Sequence, residues 1–241
     1  MTPRAREALE AAETISCYTG YLPLLGDLAR GKRVLSTGMR RERERVEAAV
    51  AEAVAGRRVC LVSSGDPGVY GMAGLCLQLL PADAVAEGIA VEVVPGVSSI
   101  TACAALLGAP LSHDFAVISL SDLLTDSALI ERRVAAAAAA DFVLVLTNPR
   151  SRRRTEPIER ARSILARFRD PETPVGIVRS GFREGQEVTL TDLEHMLDAA
   201  AIDMRTTVIV GSSRSFRRGR FMITPRGYDL DDTAADGGSE G

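Results

Sequence analysis

Lysine is all but missing from this chain of 241 residues. Lys32 is the only one; the other basic residues are arginines, and 29 basic against 32 acidic side chains leave a formal net charge of −3. A dedicated nucleic-acid binder needs a strong positive excess, so that class is excluded. The arginine bias reads as composition, not as phosphate recognition. Histidine is scarce as well, with His113 and His195 alone, and the four cysteines (Cys17, Cys60, Cys76, Cys103) are scattered without a Cys-x-x-Cys spacing. Neither a zinc site nor an iron–sulfur cluster is therefore expected. Cys60 in an apolar run and Cys103 in a stretch of small residues read as buried structural thiols. Long apolar runs are missing too, each being short or broken by Gly or Pro. No signal peptide or membrane span is read, and the expectation is a cytoplasmic protein with reduced thiols.

What is present is an alternation of helical and strand-like segments. Thr2-Pro3 caps a helix over 2–13, and an Arg/Glu-rich amphipathic helix is expected over 40–55. Strands are expected at 32–38, 57–65 and 89–96, with helices near 70–80 and 98–107 between and after them. The pattern restarts after "GAPLSHD", with strands at 115–120, 141–148, 173–181, 186–191 and 205–211 and helices at 127–140, 155–168 and 191–198. Strands separated by helices indicate right-handed crossovers and a largely parallel sheet. The closer strand spacing in the second half indicates a mixed one. The expected division is an N-terminal α/β domain over 1–112, a C-terminal α/β domain over 113–228, and an acidic, Gly-rich, disordered tail over 229–241.

In such sheets ligands gather beyond the carboxyl ends of the strands. Three turn-rich segments fall there: "SSGDPG" (63–68), "PGVSS" (95–99) and "TNPRS" (147–151). Gly and small hydroxyl or amide residues let backbone groups approach a ligand closely. Taken alone, Gly-Asp-Pro-Gly is equally a β-turn, and "PGVSS" equally a helix entry with a serine cap. No Gly-Lys-Ser/Thr follows the first loop, and it is not a Gly-x-Gly-x-x-Gly fingerprint, so neither nucleotide motif applies.

Read in order, "SSGDPGVYGMAGL", "VVPGVSSITACAALLGAPLSHDFAVISLSDLL", "FVLVLTNPRSRRRTEPIERA" and "PVGIVRSGFREGQEVTLTDL" resemble the tetrapyrrole methylase family, over residues 2 to about 228. The resemblance implies a two-domain α/β methyltransferase, two αβα domains with S-adenosylmethionine (SAM) held in the cleft between them, normally a homodimer. "GVYGMAGL" and "HDFAVISLSDLL" point within the family to members that methylate precorrin-3B at C17 with ring contraction; another precorrin or a cobalt-containing substrate is the alternative, as is a non-catalytic corrinoid-binding chain. By the matching motifs, Gly65, Asp66, Val69, Tyr70, Ser98 and Ser99 border SAM, and Asn148, Thr206 and Thr207 contribute from the second domain.

An aspartate at a strand end can accept from ribose hydroxyls or an ammonium group. Methyl transfer from a sulfonium mainly needs alignment, whereas ring contraction moves protons, for which His113 and Asp114 are the candidates. The bland reading of His113 is a capping or core-edge histidine, and His195 reads as surface. Arg150, Arg152 and Arg153 are either a solvated helix start or a grip on the carboxylates of a polycarboxylate substrate.

The chain departs from the family pattern in several places. Members open with a strand and a Gly-Pro-Gly loop ahead of a helix resembling "TPRAREALEAA", whereas Met1 stands at that helix's entry. Either the start lies upstream or the chain is a truncated relative, and the intact pattern elsewhere favours the former. Thr147 stands where Tyr is usual, Ser180-Gly181-Phe182 replaces a common Asn-Ala-Gly, and Asp126-Ser127 replaces Pro-Trp.

Overall fold

The computed structural model describes residues 1–83, 88–151 and 154–229. The chain divides into two compact units, Met1–Ser98 and Ser99–Gly241. This boundary lies upstream of the expected junction at 112/113. The reason is the packing of helix α5 (Ser99–Leu107), described below, on the second unit's sheet.

The first unit is organised by a strand that its sequence conceals. β1 (Thr14–Tyr18) pairs in parallel with β2 (Arg33–Thr37) on one side and β3 (Val59–Leu61) on the other. Its alternate side chains go to opposite faces. Ile15 and Cys17 pack with Leu9 of α1 (Pro3–Ala11) and Leu25 of the short α2 (Leu22–Leu25). Thr14 and Ser16 are fully buried and donate instead to α3 (Glu42–Val54), Thr14 to the Glu52 carboxylate at 3.2 Å and Ser16 to the Arg45 carbonyl at 3.0 Å. Buried hydroxyls with partners cost little, so a polar strand can sit at the centre. Helix α4 (Ala73–Leu79) follows β3.

The expected strand at 89–96 is not formed. The described residues of that segment carry no ladder, β3 is an edge strand, and Val91 and Val93 are exposed. Among the described residues no strand lies beside the segment, and alternation alone does not make a strand without a partner.

In the second unit α5 lays Ile100, Cys103, Ala104 and Leu107 against Val143, Val145, Val178 and Ile209 of a five-stranded sheet. The approach is close at Gly176, where a Cβ would stand 2.2 Å from Leu107 Cδ1. β4 (Gly108–Ala109) then joins a small sheet with β10 (Phe216–Arg218) and β11 (Phe221–Ile223). The large sheet runs β5 (Phe115–Ser119), β6 (Val143–Thr147), β9 (Thr206–Val210), β7 (Pro174–Arg179), β8 (Glu187–Asp192). β5 and β6 are parallel, while β9 runs antiparallel to both β6 and β7, so the sheet is mixed as expected. Helices α6 (Ser127–Ala139) and α7 (Glu156–Leu165) cover the face opposite α5, giving the expected αβα layering. The expected helix at 191–198 is a turn that buries Leu193 and Met196, because β8 continues through Asp192. Among the described residues no helix is long and apolar enough to cross a membrane. The tail from residue 230 lies outside the described residues.

Candidate functional site

Each unit gathers its turn-rich loops at the carboxyl end of its parallel strands. In the first, the chain leaves β3 and turns through 63–72 before α4. The Ser63 hydroxyl accepts from Met72 N at 3.0 Å, and the Pro67 carbonyl accepts from Ala73 N at 3.0 Å. This fold-back leaves no room at Gly71, where a Cβ would lie 2.6 Å from the Pro67 carbonyl oxygen. Asp66 sits at the bend. One carboxylate oxygen accepts from Gly68 N at 2.8 Å and the other from Gly96 N at 3.0 Å. The N–H groups of Gly96 and then Gly68 hold its carboxyl below the usual aspartate value, against a smaller opposing effect of desolvation. A Cβ on Gly96 would come within 2.1 Å of the Gly65 carbonyl oxygen.

The expected residues Gly65, Asp66, Val69 and Tyr70 thus share one loop, pinned to the "PGVSS" segment. Gly65 and Tyr70 both take positive φ, 73° and 53°, and Tyr70 is 62% exposed. A tyrosine in the left-handed region is strained, and such strain is held where the surroundings dictate it. Ser98 closes the first unit, and Ser99 opens α5 in the second. Asp66 was expected to border the ligand; in this geometry each of its oxygens accepts one backbone hydrogen bond, which makes it a clamp between two loops and leaves further acceptor capacity on both oxygens.

In the second unit the register does the gathering. Ser119 pairs with Thr147, and Leu146 with Val208, which carries Thr206 and Thr207 beside Thr147 and Asn148. Asn148 has φ 52° and donates from Nδ2 to Ser119 Oγ at 3.0 Å. The Thr206 hydroxyl accepts from Asp203 N at 3.0 Å. Thr207 hydrogen-bonds the Cys103 thiol, whose pKa burial pushes up. Ser180, at the end of β7, has φ 50° and is 6% exposed. Two buried hydroxyls here, Thr147 Oγ1 and Ser180 Oγ, have no hydrogen-bond partner among the described residues. Unsatisfied buried hydroxyls are rare, and each calls for an explanation, such as local strain or a hydrogen bond to water or a ligand.

The arginine candidates separate. Arg150 donates to Glu159 of α7 at 2.8 Å, while Arg152 and Arg153 lie outside the described residues. Arg154, which the sequence reading passed over, is the tie between loops. It donates to the Leu120 carbonyl at 3.2 Å, to Asp122 at 2.8 Å and to the Asn148 carbonyl at 3.2 Å. Its hydrogen bond keeps the Asp122 carboxyl below the ordinary range. Arg45 in the first unit was also missed. It stands among Val46, Ala49 and Val50 as one of the buried residues of α3, and an arginine on that stripe is the signal that could have found it.

His113 and Asp114 are placed elsewhere. They precede β5 at its amino end, where His113 Nδ1 accepts from Asp114 N at 2.8 Å. The five residues of β5 put ~13 Å of strand between them and the Ser119–Asn148 end. His195 is exposed and pairs with Asp192 at 2.7 Å.

In the first unit, glycine backbone where no side chain fits, and in the second, hydroxyl and amide groups at the strand ends, each suit contact with a neutral, hydrogen-bonding ligand group. Among the described residues no cluster of three metal-ligating side chains occurs.

The chain is 48% identical over 230 residues to a cobalt-factor III methyltransferase of Priestia megaterium, covering 95% of this chain and 42% of that protein. It is 47% identical over 230 residues to a probable cobalt-factor III C(17)-methyltransferase of Salmonella typhimurium, covering 95% and 94%. The chain therefore spans less than half of the first relative and nearly all of the second. Its fold matches the crystal structure of the methyltransferase CobJ with a TM-score of 0.85 at 35% identity, over 93% of each chain. It also has the fold of a uroporphyrin-III C-methyltransferase from Thermus thermophilus solved with S-adenosylhomocysteine, with a TM-score of 0.64 at 21% identity over 88% of this chain and 90% of that one. A model of the tetrapyrrole (corrin/porphyrin) methylases matches residues 1–197, and the chain belongs to that family.

Proposed function

We propose that this protein is a SAM-dependent C-methyltransferase that methylates C17 of a corrin precursor in cobalamin biosynthesis, with ring contraction. The observation that carries the reading is the 47% identity to a C(17)-methyltransferase across 94% of that enzyme's length. The sequence motifs alone favour cobalt-free precorrin-3B. Both relatives near 48% identity are named for cobalt-factor III, which favours the cobalt-bearing substrate. The metal in that case belongs to the substrate.

SAM, when bound, supplies an activated methyl group on its sulfonium. The protein's task is then binding and alignment of donor and acceptor, which strong acid–base groups are not needed for. In the first unit the Asp66 clamp fixes the 63–72 loop, and Gly65, Val69 and Tyr70 offer backbone and an apolar wall to the cofactor. In the second, Asn148, Thr206 and Thr207 stand at the strand ends, with Thr147 and Ser180 offering unused hydroxyls. The working form is proposed to be a homodimer.

Calorimetry with SAM, then incubation with cobalt-factor III and with precorrin-3B, tests the reading. A product heavier by one methyl group from either substrate supports it and decides between them. Absence of SAM binding would sink it.

A further inference from the structure

Arginine is always charged, and a buried guanidinium without a counter-charge is costly to maintain. Among the described residues two arginines are buried, and they are of opposite character. Arg169 is fully provided for: its guanidinium donates to the carbonyls of Ala138, Phe142, Phe168 and Gly211 and lies 3.3 Å from the Asp141 carboxylate. Arg45 is 4% exposed, yet no carboxylate among the described residues lies within ion-pair distance. Nη2 donates to the carbonyls of Gly38 at 2.9 Å and Thr37 at 3.3 Å; among the described residues Nε is buried without a hydrogen-bond partner, and the one hydrogen-bond partner of Nη1 is the thioether of Met72, at 3.9 Å.

The location gives that deficit a meaning. Thr37 ends β2, and the Tyr18 ring that ends β1 has its centroid 5.8 Å from the guanidinium carbon. Met72 ends the 63–72 loop that Asp66 holds. Arg45 therefore lies directly under the strand-end edge of the first unit. The cover over Nη1 is a weak acceptor on an adaptable side chain.

We propose that Arg45 is the binding residue for a ligand carboxylate, reached as the Met72 side chain swings aside. The inference rests on the function proposed above, because it is that reading which makes the available anions carboxylates. They come from two sources: the amino-acid end of the cofactor and the acid side chains of a tetrapyrrole. A carboxylate is a far better acceptor for Nη1 than a thioether, and it supplies the counter-charge that Arg45 lacks.

The test compares the full chain with Arg45→Met, Arg45→Lys and Met72→Ala by calorimetry. The ligands are S-adenosylhomocysteine, 5′-methylthioadenosine (which lacks the carboxylate) and uroporphyrin III, a tetrapyrrole polycarboxylate. Arg45→Met is expected to weaken one carboxylate ligand by about tenfold or more, with 5′-methylthioadenosine unaffected and Arg45→Lys restoring most of the loss. Loss for S-adenosylhomocysteine assigns the cofactor, and loss for uroporphyrin III the substrate. Affinities within about twofold of wild type for both, in an Arg45→Met protein that melts cooperatively, overturn the proposal. If that variant does not fold, Met72→Ala decides. Uncovering Nη1 should tighten the same carboxylate ligand severalfold, and no change refutes the role. Wild type binding none of the three overturns the methyltransferase reading together with this inference, an outcome distinct from equal binding by wild type and variant.

Discussion

The Asp66 carboxylate and the Gly96 amide are joined by a 3.0 Å hydrogen bond across thirty residues of sequence, while the other Asp66 oxygen holds Gly68. One side chain thereby fixes two of the loops at the strand ends of the first unit. Replacing Asp66 by Ala frees both loops and leaves the core of Ile15, Cys17, Leu9 and Leu25 untouched. We expect SAM affinity to fall by about tenfold with the fold retained, seen by calorimetry and circular dichroism. Because the folded pKa lies below the unfolded one, the clamp is fully present above about pH 4 and is lost as pH falls through the folded value. Affinity in Asp66→Ala should accordingly lose the acid-side decline shown by wild type.

Gly96 is the steric half of the same clamp. An added Cβ at 2.1 Å from the Gly65 carbonyl cannot be accommodated by a side-chain rotation, since the neighbour is backbone. Gly96→Ala should therefore push the two loops apart and weaken SAM binding at least as much as Asp66→Ala. Overpacking of this kind costs about 1–3 kcal/mol, so a lower unfolding midpoint in urea should accompany it. Wild-type binding by Gly96→Ala would show that the loops move independently.

The loops were legible in the sequence because Gly, Pro, Asp and Asn act locally, and a turn needs nothing from the rest of the chain. Elements that depend on partners were not. Thr14–Tyr18 was missed because Thr14 and Ser16 interrupt its apolar pattern, although Glu52 and the Arg45 carbonyl satisfy them. Residues 89–96 read as a strand from their valines, and local alternation carries no information about a missing neighbour. Arg45 and Arg154 were overlooked for a related reason. Charged residues usually form solvated faces, and only the fold shows one buried beneath β1 and β2 and the other tying three loop positions together. The family resemblance gathered Asn148, Thr206 and Thr207 as a set, and the antiparallel β6–β9 register is the physical reason they can act as one.

His113 offers a sharp contrast between motif and place. Ring contraction moves protons, and His113 with Asp114 was the pair available from the sequence. At the amino end of β5, with Nδ1 engaged by the neighbouring amide, the ring stands far from the hydroxyl-bearing strand ends. A general acid or base contributes about 10²–10⁴-fold to rate. His113→Ala is expected to retain kcat within about tenfold of wild type, and a loss of a hundredfold or more would return the histidine to the chemistry.

Thr147 and Ser180 provide a test in which stability and binding move in opposite directions. Both stand where the chain departs from its family's usual residues, and both carry buried hydroxyls without partners. If the hydroxyls only fill space, Thr147→Val and Ser180→Ala remove an unsatisfied polar group, so stability holds or rises by about 1 kcal/mol and ligand affinity is unchanged. If they complete a ligand site, stability behaves the same way but SAM affinity falls, by about fivefold for each neutral hydrogen bond lost. We expect the second pattern, with thermal melts and calorimetry on the same preparations separating the two effects.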